Sequence, residues 1–176
     1  MNIIDTTMQN HTSKAKALAI DGLFIALTCV VTAFINIRLP IMANGGLIHL
    51  GNVPFFIAAI LFGKRTGALA GAVGMGLFDL LSGWAIWAPF TFVIVGFMGF
   101  TVGAVTEKTN HKSYFWNVIA LILAGIIKVI GYYIAEGIIY GNWVAPATSI
   151  LGNVVQICVA AIIVLPIIPM LKKLKF

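Results

Sequence analysis

Charge is what this sequence has least of: Asp, Glu, Lys and Arg make up 9% of its 176 residues, against roughly 25% in soluble globular domains. Acidic residues number five and histidines three. That scarcity removes most catalytic arrangements. There is no HExxH and no GxSxG, and His11, His49 and His111 are scattered along the chain. Cysteine is equally thin. Cys29 and Cys158 both lie inside apolar runs, which excludes a disulfide framework or a CxxC metal site and leaves them as small hydrophobes. No metal site is expected. The stretch FGKRTG, residues 62–67, lacks the GxxxxGK[ST] spacing of a phosphate loop, so this chain is not expected to hydrolyse ATP.

Apolar surface is what the sequence has in excess. It is 61% hydrophobic with a mean hydropathy of +1.06, the composition of an all-α integral membrane protein. Apolar runs of roughly 20 residues, separated by charge or turn formers, give six expected transmembrane helices: 15–36, 47–62, 67–84, 89–106, 114–136 and 147–171. The second is short. The uncharged stretch 137–171 is too long for one span, and Gly141, Asn142 and Pro146 divide it. Residues 1–13 read as a polar cytoplasmic tail and 14–176 as one six-helix transmembrane substrate-binding domain. The first apolar run is long enough to be a retained span and not a signal-peptide core. No second domain, low-complexity segment or convincing internal repeat is visible.

Basic residues set the orientation, because short loops rich in Lys and Arg stay in the cytoplasm. In a six-span arrangement Lys14, Lys16, Lys64, Arg65, Lys108, Lys112, Lys172, Lys173 and Lys175 share one side, and of the eleven basic residues only Arg38 and Lys128 fall elsewhere. Both termini are therefore expected in the cytoplasm. The net charge of +6 needs no nucleic-acid partner to explain it; the lipid bilayer is the partner it fits.

Small residues recur on helical faces. Gly63, Gly67 and Gly71, and Ala68, Ala72 and Gly76, form rows at spacing four, and Gly99 and Gly103 do the same in the fourth span. Such rows allow close helix approach, within this subunit or against another. Ala15, Ala19, Gly22 and Ala26 make a comparable stripe on the first span, at the edge of the chain, where a partner subunit is the fairer expectation.

The few charges inside apolar runs carry the functional reading, since an ion in a bilayer costs several kcal/mol unless it faces partners or a wet cavity. Lys128, Tyr132 and Glu136 share one helical face. At about 1.5 Å per residue, Lys128 lies at a depth similar to Asp79, Asn153 and Gln156. Lys128 and Asp79 are expected either as a buried pair that locks two helices or as two poles of an outward-facing pocket. Glu136 is expected at its mouth. Trp84, Trp87 and Trp143 lie in outward connections as interfacial anchors or ligand-stacking rings. Asn36, Arg38, His49 and Asn52 lie at the same end and complete the candidate set. A membrane enzyme acting on lipid head groups would show paired carboxylates or histidines at the cytoplasmic interface, where there are only Asp21 and Glu107. A channel or structural subunit stays open as a third reading.

The ordered features Gly-Asn-x-Pro at the start of span two, Gly-Lys-Arg-x-Gly in the inner loop, Phe-Asp-Leu-Leu-Ser-Gly closing span three, Trp-x-x-Trp-x-Pro and a glycine-rich span four resemble the substrate-binding S subunits of energy-coupling factor (ECF) vitamin transporters. The likeness covers the chain beyond its polar start. It implies capture of a small vitamin or precursor in an outward pocket roofed by the connection between spans one and two. Delivery would follow by toppling against a transmembrane coupling (T) subunit driven by two cytoplasmic ATPases, which would hold ATP and Mg; no cofactor is implied in this chain. The stripe Ala15, Ala19, Gly22 and Ala26 would dock on the coupling subunit. The chain looks nearest to the hydroxymethylpyrimidine, pyridoxine and pantothenate-type members.

Overall fold

The computed structural model describes residues 3–38, 47–109 and 113–173; for 3–12 and 38 this covers the backbone alone. Lys112, His111 and Lys175 lie outside the described residues, as do the side chains of His11 and Arg38. Among the described residues, six helices and one small two-stranded hairpin form. Helix α1, Ile3–Phe34, starts well before the first run, so the polar stretch joins it as helix. Strands β1, Asn36–Arg38, and β2, Leu47–His49, pair antiparallel with Asn36 opposite His49 and Arg38 opposite Leu47. Then come α2, Asn52–Phe62, α3, Lys64–Leu81, α4, Ala88–Glu107, α5, Tyr114–Tyr140, and α6, Ala147–Leu171.

Several expected boundaries shift. The second run, expected as helix from residue 47, begins as a strand, because Leu47 to His49 satisfy their backbone against β1 and Leu50 N–H donates to Ile35 O at 3.1 Å. What remains for α2 is 11 residues, or about 16 Å. Helix α3 stops before Trp84 at a turn with Gly83 at φ +84°, and α5 runs past Glu136 to a left-handed Gly141. Among the described residues four helices, the Ser13–Phe34 part of α1 together with α4, α5 and α6, are long and apolar enough to cross a membrane.

Short as it is, α2 is the centre of the core. Phe55, Phe56, Ala58, Ala59 and Ile60 are fully buried, packed with Met75, Val95, Met98 and Val102 of α3 and α4. The glycine rows serve this packing: a Cβ on Gly99 would meet the Gly67 backbone, and one on Gly71 would lie 2.8 Å from Val95 O. The α3–α4 contact is accordingly the most extensive in the molecule. The α1 stripe behaves differently. Ala15, Ala19, Gly22 and Ala26 are all exposed, and a Cβ on Gly22 would meet nothing within 4 Å.

Contacts between element ends define two poles. At one, Glu107 at the end of α4 accepts from Lys64 N–H and Lys64 Nζ, both at 2.9 Å, and Asp21 of α1 lies 3.8 Å from Arg65. At the other, the hairpin, the start of α4, the end of α5 and the start of α6 come together, as the Trp87–Tyr140 ring contact at 6.1 Å shows.

Candidate ligand-binding cavity

At the hairpin pole, five parts of the chain enclose about 470 Å³ of empty space, counting its open mouth. Each element supplies side chains at its own periodicity. Strand β2 turns Leu47 and His49 inward, two residues apart on one strand face. Helix α3 supplies Asp79 from its last turn, and the Asp79 carbonyl accepts from Trp84 N–H at 2.9 Å, which fixes the turn carrying Trp84. Helix α4 and its approach supply Trp87 and Thr91, α5 supplies Lys128 and Tyr132, and α6 supplies Asn153 and Gln156, all pairs three or four apart.

Aromatic rings form the walls. Trp87 and Tyr132 lie 6.4 Å apart between centroids, and the Tyr132 hydroxyl is tied to Thr91 Oγ1 at 3.2 Å. The Lys128 ammonium sits 5.0 Å from the centroid of the Tyr132 ring, a cation–π distance. Lys128 is 1% exposed and Asp79 8%. Among the described residues no carboxylate lies within 4.0 Å of the Lys128 ammonium. Asp79 Oδ2 is buried without a hydrogen-bond partner, as is Gln156 Oε1. The two charges thus line one cavity without closing into an ion pair within 4.0 Å.

His49 adds a neutral donor. Its Nδ1 accepts from Gly51 N–H at 3.2 Å, which places the ring proton on Nε2. Burial, then the positive charge of Lys128, push its pKa down to about 3. With His49 neutral, the lining carries one negative and one positive charge. An aromatic slot lined by a bare carboxylate oxygen and an ammonium can hold a flat polar molecule with both donors and acceptors on its rim.

Other expected residues lie elsewhere. Asn36 caps its own helix, donating from Nδ2 to Thr32 O and Ala33 O at 3.0 and 2.7 Å. Asn52 is fully buried in the first turn of α2, outside the lining, with neither side-chain polar atom partnered. Glu136, expected at the mouth, is fully buried instead; it accepts from Ser149 Oγ at 2.7 Å and so ties α5 to α6. Arg38 pairs with Leu47 through its backbone, and its side chain lies outside the described residues. Trp143 turns away from the cavity, its ring against Gly137 and its carbonyl accepting from Tyr133 Oη at 2.6 Å. Leu47 and Thr91 also line the cavity, and neither stands out in the sequence. Thr91 lies four residues beyond Trp87, a spacing that could have found it.

Comparison with known proteins completes the description. The family model for "ECF-type riboflavin transporter, S component" matches residues 12–173. An uncharacterized protein of Pyrococcus woesei is 36% identical over 105 residues, covering 60% of this chain and 69% of that protein. The thiamine precursor transporter HmpT of Lactococcus lactis subsp. cremoris (strain MG1363) is 28% identical over 158 residues, covering 90% of this chain and 89% of that protein. Two solved structures share the fold. The S component of a bacterial ECF transporter superposes with a TM-score of 0.75 at 22% identity, over 91% of this chain and 97% of that one. The S component for biotin of an ECF-type ABC transporter gives 0.69 at 19% identity, over 93% and 94%.

Proposed function

This chain belongs to the S components of ECF-type transporters, and on that premise we propose that its cavity captures a small, neutral heteroaromatic vitamin precursor of the hydroxymethylpyrimidine type. The family is one of vitamin-transport components embedded in the prokaryotic plasma membrane, and not of enzymes. The observation that carries the cargo reading is the cavity itself: ring walls from Trp84, Trp87 and Tyr132, with Asp79 and Lys128 lining it without an ion pair between them. Asp79 accepts from an exocyclic amine, and Lys128 and the His49 Nε2–H donate to ring nitrogen or hydroxyl. The name of the Lactococcus relative, a thiamine precursor transporter, points to the same chemistry.

A neutral cargo follows from charge. The lining sums to zero, so an added anion such as pantothenate would be left uncompensated in a medium where charge is expensive. A pyridoxine-like ring fits the same groups. Riboflavin, the vitamin in the family description, is the larger competitor to include in any panel.

In this reading all six helices lie in the bilayer with both termini cytoplasmic, since the basic residues gather at the Lys64–Glu107 pole. The shortness of α2 is tolerated because its neighbours, and not lipid, surround it. The exposed α1 stripe meets a transmembrane coupling subunit, against which the protein topples to release cargo inward. Two ATPase subunits, with ATP and Mg, supply the energy.

Thermal-shift and calorimetric titration of the detergent-purified protein with hydroxymethylpyrimidine, pyridoxine, riboflavin, biotin and pantothenate tests the cargo. One-to-one saturable binding, strongest for the pyrimidine, is expected. Tighter binding of pantothenate or riboflavin would overturn the neutral-pyrimidine reading, and no binding at all would favour a structural subunit.

A further inference from the structure

Gln156 lines the cavity from α6 and is 5% exposed. Its Nε2 donates to the Leu47 carbonyl at 3.1 Å. A backbone carbonyl can only accept, so this bond settles which way the amide lies: its N–H side is committed to β2 and Oε1 is left over. Among the described residues Oε1 is buried and has no hydrogen-bond partner. A buried acceptor without a donor is costly, so whatever fills this part of the cavity has to bring an N–H or an O–H. The neighbouring residue on β2 narrows the choice. His49 also lines the cavity, two residues beyond Leu47 on the same strand face. With Nδ1 taken by Gly51 N–H at 3.2 Å, its ring proton is on Nε2, and His49 donates where Gln156 only accepts. A ring-conjugated amine donates and scarcely accepts, and a bare ring nitrogen accepts and does not donate. A hydroxyl does both.

We propose that Gln156 is the specificity-determining residue for a hydroxyl on the cargo, its Oε1 accepting the cargo O–H while His49 Nε2–H donates to the same oxygen. The assignment deepens the capture reading above and rests on it. Asp79 Oδ2, the other acceptor of the lining that is buried without a partner among the described residues, takes the exocyclic amine from α3. The two acceptors thus read different substituents of one ring. Gln156 separates hydroxymethylpyrimidine from the same aminopyrimidine carrying methyl in place of hydroxymethyl, which Asp79, Lys128 and the ring walls hold equally well.

Calorimetric titration of the detergent-purified protein with hydroxymethylpyrimidine, its methyl counterpart and its methyl ether, whose oxygen accepts but cannot donate, tests the assignment. In the parent both analogues should bind at least about tenfold more weakly than the alcohol, the scale of one buried acceptor left unpaired. Gln156→Met keeps the side-chain length and removes the acceptor, so alcohol and methyl ligands should then differ by less than about threefold. Lys128→Met should weaken all of them and keep the parent preference for the alcohol. If Gln156→Met does not fold, Gln156→Asn, which withdraws the amide by one carbon, should lose the preference likewise. A parent that binds either analogue as tightly as the alcohol, or a folded Gln156 variant that keeps the parent preference, overturns the assignment and leaves the pyrimidine cargo standing. A parent that binds none of the three overturns the cargo reading and this assignment with it.

Discussion

Lys128 and Asp79 face the same cavity without touching, so removing either leaves the other as an uncompensated buried charge. Lys128→Met and Asp79→Asn should each weaken cargo binding at least about tenfold, and the double variant should lose less than the product, with a coupling of about 0.5–3 kcal/mol. Strictly additive losses in a titration of all four proteins would show that the charges act independently. His49 gives a pH signature. Its folded pKa, about 3, lies below the ordinary 6.5, so the unfolded chain takes up a proton that the folded one refuses. The stabilisation from a neutral His49 is complete above about pH 6.5 and drains away as pH falls toward 3. The melting temperature should therefore drop more steeply between pH 6.5 and 5 in the parent than in His49→Gln, and parallel curves would contradict a buried, neutral imidazole. At this scale the sequence is informative where a polar group interrupts an apolar run, as for Lys128, Asp79 and Gln156. It is silent on who satisfies whom. Glu136 looks no different from Lys128 by spacing, and only the approach of Ser149 from α6 distinguishes a structural carboxylate from one facing the cavity.

Helices α3 and α4 meet through glycine because side chains would hold them apart. Gly99→Val would drive a branched side chain into the Gly67 backbone, and overpacking of this kind costs about 1–3 kcal/mol or more. A lower melting temperature in detergent, or loss of folded protein, is the expected result; an unchanged one would mean that the helices separate without penalty. The stripe on α1 is the counter-case. Gly22→Leu adds bulk where nothing stands within 4 Å, so cargo affinity should stay within about twofold while co-purification with the coupling and ATPase subunits is lost. Retained co-purification would move the docking face elsewhere. Helix positions were legible from apolar length and turn residues, and α6 runs over the expected 147–171. The hairpin was not, because three-residue strands are too short to show a period of two and the apolar residues of β2 continue into α2 without a charge between them.

As a whole the molecule is polarised. Basic residues and the Lys64–Glu107 and Arg65–Asp21 contacts gather at one end, and the aromatic cavity with its hairpin at the other. That polarity was legible from lysine and arginine positions and from the depth of four polar residues, because both follow from the cost of charge in lipid. The tie between α6 and the β2 strand was not, since it is a hydrogen bond between residues 109 apart. The proposed capture role would use this asymmetry: a ligand site at one end and the exposed stripe of α1 for a partner. The most direct test of the central claim is mass spectrometry of small molecules released on denaturing the detergent-purified protein, run in parallel on Lys128→Met. A pyrimidine or pyridine compound near one per protein, absent from the variant, is the result this account predicts. An empty parent protein that also shows no thermal shift with the vitamin panel would contradict it and return Lys128 and Asp79 to a structural role.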